Sequence, residues 1–217
     1  MKIIPAILAE KIEDCEKMLK ETASFTDYAQ IDIMDGVFVP SRSFPAEAMN
    51  RIQTTVFFEA HLMVKDPSTL MRGIHHPYLQ KVIFHFESNV KYPEFIGEMK
   101  KRGIATGLAI NPQTSLHEFR NIVDQVESLL FLTVDPGYYG SPFRMEVLEK
   151  IEKTKRLFPD KPISVDGGIS LDNLKLFIDL NVEAVCVGSR IFLKGIPKEN
   201  YMEFINKVKE MGGERST

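Results

Sequence analysis

Tyr28-Ala29-Gln30-Ile31-Asp32-Ile33-Met34-Asp35-Gly36 is a short strand that ends in acids and then breaks. Tyr28, Ala29, Ile31 and Ile33 have the apolar content of a buried strand. Side chains alternate across a strand, so Gln30, Asp32 and Met34 share the other face. Polar groups at the end of an otherwise buried strand are costly unless partnered, which makes them candidates for chemistry. The mirror of this stretch is Pro162-Ile163-Ser164-Val165-Asp166-Gly167-Gly168, a second apolar strand closing on an aspartate. Asp32 and Asp166 are therefore expected to face one site.

Working outward, the chain alternates between strand-like runs and helix-like periods. The strands expected are 3–8, 28–33, 56–63, 81–86, 106–110, 128–134, 163–166 and 184–188. Helical patterns are expected over 10–21, 46–53, 68–73, 92–102, 116–126, 144–158, 171–180 and 201–211. Pro5 suggests a strand end or an edge. Ser115 and Ser170 are expected to cap the helices that follow them. Strict alternation implies parallel strands joined by crossover helices. Eight such units predict an α/β protein, a single (β/α)8 TIM barrel of the phosphate-binding type spanning 1–217, compact against the roughly 250 residues usual for that fold. The tail 212–217 is expected to fray.

Composition agrees with a globular chain: 44% hydrophobic and 26% charged residues over 217 positions. A net charge of −3 offers no basic face for nucleic acid. No apolar run is long enough to span a bilayer, and the start lacks a signal-peptide core, so a cytoplasmic location with no membrane partner is expected. Cys15 and Cys186 make no disulfide framework and are read as reduced thiols.

In barrels of this kind the site forms at the C-terminal strand ends. Those ends carry Asp32, His61, His85, Asn111, Thr133, Asp135, Asp166 and Gly188-Ser189. Gly167-Gly168 and Gly188-Ser189 offer backbone amides for a phosphate, and the loop from Gly137 through Tyr138, Tyr139 and Gly140 is placed to close over it. Paired aspartates suggest proton transfer next to a carbonyl. A divalent metal held by Asp32, His61 and Asp166 would stabilise the resulting enediolate. His85 is a group behind or beside the site, Asp35 a turn acid, His75-His76 a solvated helix end and His117 a surface residue.

With these residues in place the chain resembles the ribulose-phosphate 3-epimerase family. The matching segments are Pro5-Ala6-Ile7-Leu8, Asp32 to Pro40, His61-Leu62-Met63, Asn111-Pro112, Thr133 to Gly137, Val165 to Ile169 and Gly188-Ser189. The resemblance implies interconversion of D-ribulose 5-phosphate and D-xylulose 5-phosphate by inversion at C3, through a cis-enediolate, in a protein that is often a homo-oligomer. It implies Asp32 and Asp166 as acid and base, with Asp32, His61 and Asp166 as metal ligands. Met34 and Met63 look like walls of the intermediate, and the glycine loops like phosphate and substrate contacts. A small-molecule sugar phosphate is the implied partner. Several positions depart from the pattern. Gln30 stands where the family has a fourth metal-binding histidine. An amide oxygen is a harder, weaker ligand than imidazole, which shifts the expected metal from Zn alone toward Fe, Mn or Co as well. Ala6 replaces a substrate-side serine, Val37 a frequent histidine and Leu132 a wall methionine. Alternatives are a different ketose phosphate as substrate, or a sugar-phosphate-binding barrel with little catalysis.

Overall fold

The computed structural model describes residues 1–137 and 142–213. Eight strands close into one parallel barrel in sequence order: β1 Lys2–Ile7, β2 Tyr28–Met34, β3 Phe57–Met63, β4 Leu79–His85, β5 Ala105–Ile110, β6 Ser128–Leu132, β7 Ile163–Asp166 and β8 Ala184–Val187. The helices are α1 Ile12–Thr22, α2 Pro67–Met71, α3 Tyr92–Lys101, α4 Leu116–Phe119, α5 Glu146–Leu157, α6 Leu174–Asp179, α7 Ser189–Phe192 and α8 Pro197–Gly213. None is long and apolar enough to cross a membrane.

The period-two pattern separates two layers. Ile31, Ile33, Phe58, Ala60 and Leu62 face outward and join the large core under the helices. Ile4, Ala6, Ile83, Ala109, Leu130, Leu132, Ala184 and Cys186 form a smaller apolar cluster inside the barrel. The register sets Gln30 beside Ala6 and Glu59, Asp32 beside His61, and Met34 beside Met63. Barrel closure thus collects polar groups from different strands in one interior.

Four expectations change. Pro5 lies within a closed barrel, not at an edge: β1 pairs with β8 over Lys2–Pro5 and with β2 over Ala6–Ile7, so its missing N–H precedes the β2 ladder. The helix expected over 116–126 stops at Phe119. It begins with the capping box Ser115/Glu118. It yields to a 3-10 turn at Val123–Gln125, after Asn121 and the β-branched Ile122, which are weak helix formers. The helix expected over 46–53 is a 3-10 turn, Ala46–Arg51. Ser170 does not cap α6. Asn173 holds the N-cap position, accepting from the Ser170 N–H at 2.8 Å and donating to the Gly168 carbonyl at 2.9 Å.

Lower in the barrel, Glu59 is buried and its Oε2 takes Lys81 Nζ at 2.9 Å and the Tyr28 hydroxyl at 3.0 Å. Removing one partner of a buried pair leaves an uncompensated charge, so Lys81→Met is expected to destabilise by about 3 kcal/mol. The double change E59Q/K81M should regain most of that loss in thermal melts. Equal destabilisation in single and double variants would show that Lys81 does not neutralise Glu59.

Candidate active site

The site is assembled from the ends of β2, β3 and β7. Gln30, fully buried, directs its amide nitrogen between the two carboxylates: Nε2 donates to Asp32 Oδ1 at 3.0 Å and to Asp166 Oδ2 at 2.7 Å. Its oxygen points the other way and accepts from the Cys186 thiol at 3.2 Å. This orientation follows from chemistry, since two acceptor-only carboxylates need the NH2 end and a thiol can donate to the oxygen. His61, also fully buried, sets Nδ1 at 3.0 Å from Asp32 Oδ1 and 3.6 Å from Asp166 Oδ2.

These contacts move the protons. Burial and then the negative charge of Asp32 push Asp166 up from 3.8 to about 7, against the opposing pull of His61 and the Gln30 bond. Burial lowers His61, but the hydrogen bond to Asp32 and the charges of Asp32, Asp166 and Glu59 outweigh it and raise the group. Burial, with Asp166, Glu59 and Asp32 nearby, raises Cys186 well above the ordinary thiol range, so its S–H is kept. Asp166 thus sits in an environment that favours its protonated form relative to an ordinary aspartate.

Asp32, His61 and Asp166 each offer one ligand atom, all within 4.8 Å of one another, and two carboxylates with an imidazole suit a divalent cation. The three residues could hold such an ion. Gln30, as placed, turns hydrogens rather than a lone pair toward that point, so it joins a ligand set only with its amide reversed.

A cavity of about 310 Å³ opens over this cluster. Ala6, Met34, Met63 and Leu132 wall it, while Gly137, Gly167-Gly168 and Gly188-Ser189 border it, with Asp32, His61 and Asp166 lining it between them. Gly167 has φ +106° and Gly168 φ +65°, and a Cβ on Gly167 would lie 2.5 Å from Val134 Cγ2. Thr133 fixes this corner, its N–H donating to the Asp166 carbonyl at 2.8 Å and its hydroxyl lying 2.5 Å from the Gly167 carbonyl. Tyr138, Tyr139 and Gly140 lie outside the described residues.

Other expected residues fall elsewhere. Asp135 binds Gln113 and Arg144 and does not line the cavity. Asp35 is a turn acid, accepting the N–H groups of Val37, Phe38 and Lys65. Val37 is 63% exposed, so its departure from the family pattern lies off the cavity wall. His117 is exposed. His76 is not a solvated helix end: it donates from Nε2 to the Ile52 carbonyl at 3.1 Å and accepts the Tyr78 N–H at 3.2 Å, bridging two loops.

His85 stands behind His61, with the two Nε2 atoms 2.9 Å apart, and its Nδ1 lies 3.3 Å from Glu87 Oε2. Burial pulls His85 down to about 4, leaving it neutral at physiological pH. Glu87 is held below its ordinary value because hydrogen bonds, led by those from His85 and Thr114, outweigh burial. Sequence reasoning did not single out Glu87 or a polar role for Cys186. The His85-x-Glu87 spacing, which places Glu87 just past the strand on the same side, is the signal that was available.

The fold is shared with solved barrel structures. It matches the 3-hexulose-6-phosphate synthase of Salmonella typhimurium with a TM-score of 0.73 at 16% identity, covering 97% of this chain and 100% of that one. At such identity the likeness speaks for the fold. Sequence relatives are more specific. Ribulose-phosphate 3-epimerase of Schizosaccharomyces pombe is 29% identical over 213 residues, 95% of this chain and 93% of that protein. The Chlamydia pneumoniae protein of the same name is 31% identical over 185 residues, 81% of this chain and 80% of its own length. The model of the ribulose-phosphate 3 epimerase family matches residues 2–192. With nearly the whole barrel covered, the chain belongs to the ribulose-phosphate 3-epimerase family, a family of isomerases.

Proposed function

We propose that this protein interconverts D-ribulose 5-phosphate and D-xylulose 5-phosphate by moving a proton at C3, with Asp32 and Asp166 as the acid–base pair. The observation that carries this reading is the meeting of both carboxylates at a single amide nitrogen, 3.0 and 2.7 Å away, beneath one glycine-bordered cavity. Family membership supports a pentulose phosphate as the substrate class.

One carboxylate takes the C3 proton. The C–H electron pair forms the C2–C3 double bond, and the C2 carbonyl oxygen gains the negative charge of a cis-enediolate. The other carboxyl, holding its proton, returns one to the opposite face of C3, and the carbonyl reforms. One proton is lost from one face of C3 and one is gained at the opposite face, so the pair ends with its proton exchanged between partners. The high affinity of Asp166 for its proton suits it to be the acid in one direction.

Asp32, His61 and Asp166 would hold a divalent cation, Zn, Fe, Mn or Co, which when bound supplies positive charge for the enediolate oxygens. Met34, Met63, Leu132 and Ala6 exclude water from the planar intermediate. Backbone N–H groups around Gly167-Gly168 and Gly188-Ser189 would receive the phosphate, with Gly137 at the cavity rim. A cytoplasmic setting is supported by a rice relative named as a cytoplasmic isoform, 29% identical over 208 residues.

Incubation with D-ribulose 5-phosphate in deuterated water should place deuterium at C3 and accumulate D-xylulose 5-phosphate when zinc, manganese, iron or cobalt is supplied. Binding of the sugar phosphate without exchange under every metal would replace this reading with a binding barrel. Exchange with another ketose phosphate alone would reassign the substrate, with Ala6 on the cavity wall as the first position to change.

A further inference from the structure

The ends of β7 and β8 lie side by side, with Asp166 in register with Cys186. Gly167-Gly168 and Gly188-Ser189-Arg190 continue from them along the cavity. In the first of these loops both carbonyls are engaged: the Thr133 hydroxyl donates to that of Gly167 at 2.5 Å, and Asn173 Nδ2 to that of Gly168 at 2.9 Å. The N–H groups of the two glycines donate to no backbone acceptor among the described residues. Open amides whose own oxygens are held elsewhere make a concavity that favours an anion. The surrounding sequence agrees, for no Asp or Glu occurs from Gly167 to Leu171 or from Ala184 to Lys198.

Charge is spread unevenly along the cavity. Asp32 and Asp166 are its acids, and Arg190 is the only lysine or arginine lining it among the described residues. Tyr138, Tyr139, Gly140 and Ser141 add no lysine or arginine to the chain at that loop. Arg190 is exposed, and its guanidinium has no partner among the described residues. Other arginines are engaged: Arg144 binds Asp135, and Arg102 holds the carbonyls of Met71 and Ile74. A phosphate dianion is repelled by carboxylates and drawn to a guanidinium, whose planar fork matches two phosphate oxygens at once. We propose that Arg190 binds the phosphate of the substrate, setting it at the β7–β8 end of the cavity and selecting phosphorylated sugars over neutral ones. The inference rests on the sugar-phosphate reading above and adds a side-chain charge to the glycine amides of that corner.

Calorimetry with inorganic phosphate, in the presence of a chelator, tests Arg190 without any turnover. The unchanged protein is expected to bind phosphate, and Arg190→Met to bind it about 10- to 100-fold more weakly, the range for a lost hydrogen bond to a charged group. Arg190→Lys keeps the charge but loses the fork, and its affinity should fall between the two. Added salt should weaken binding more steeply in the unchanged protein than in Arg190→Met, since only the former uses a charge at this exposed position. In exchange assays with D-ribulose 5-phosphate, KM should rise by a similar factor in Arg190→Met while kcat stays within about threefold. Phosphate bound equally by the unchanged protein and Arg190→Met overturns the proposal, as does an unchanged protein that binds no phosphate. Equal loss in the Met and Lys variants with no change in salt dependence also overturns it, because a disturbed loop would then explain both. Absence of exchange with every metal removes the epimerase reading alone: the phosphate titrations still decide Arg190, weaker binding in Arg190→Met upholding its role and equal binding refuting it.

Discussion

Asp166→Asn is expected to lower the rate of C3 proton exchange by about a thousandfold, within the range general acid–base groups contribute, and to make the cation-free protein harder to unfold at pH 8. The two effects share a cause. Asp166 is forced to about 7 by burial and by Asp32, above the 3.8 of an ordinary aspartate. Between those values the folded chain binds a proton that the unfolded chain releases, so stability falls as pH rises across that window. The favourable contribution is complete in acid, below the unfolded value, and is gone above about 7. Asparagine has no charge to lose, and its oxygen can still accept the Gln30 N–H. A shift of this size sets a gain of about 2–4 kcal/mol at pH 8. At pH 4 the variant and the unchanged protein should unfold alike. Denaturant melts in the presence of a chelator measure both limbs. No gain at pH 8 would mean that Asp166 is comfortable as an anion, and exchange within tenfold of the original would remove it from the acid–base pair.

Gln30→His is expected to tighten zinc at least about 100-fold, since even an outer-sphere partner of a metal ligand is worth 10- to 100-fold. In the present site the amide offers its NH2 to both carboxylates while Cys186 holds its oxygen. A cation must displace those two N–H bonds or reverse the amide against the thiol. An imidazole at the same point offers a lone pair and completes a set of two carboxylates and two histidines, suited to tetrahedral zinc. Calorimetry against a competing chelator gives the answer. An affinity unchanged within threefold would place residue 30 away from the cation. The same variant should keep its Asp32–Asp166 spacing without metal only if the new ring also donates between them, since the two acids then lack the bridge that now joins them.

Much of the barrel was legible because burial on both faces leaves a strong mark. Val82-Ile83-Phe84 in β4 and Leu129-Leu130-Phe131-Leu132 in β6 are continuous apolar runs, and strands buried on both sides of a parallel sheet read this way. Long helices such as α1, α3 and α5 show their period clearly. Short elements did not: the four-residue α7 is too brief to express a helical repeat, and α4 breaks where local propensity is weak. Pro5 misled because its cost depends on which neighbour is paired at that register, and pairing is not local information.

The chain by itself determined the order of strands and helices, the acids at the ends of β2 and β7, and the face that Gln30 shares with Asp32. Those follow from periods of 2 and 3.6 and from glycine at the turns, all properties of neighbours in sequence. Tertiary structure decided which groups meet. Only barrel closure sets Asp166 within 2.7 Å of the amide on Gln30, 136 positions away in sequence, and turns Cys186 toward its oxygen. Only the packing of β3 against β4 places His61 against His85 and through it Glu87. The direction of a hydrogen bond depends on every partner around it, so the end of Gln30 that faces the acids is a property of the assembled interior.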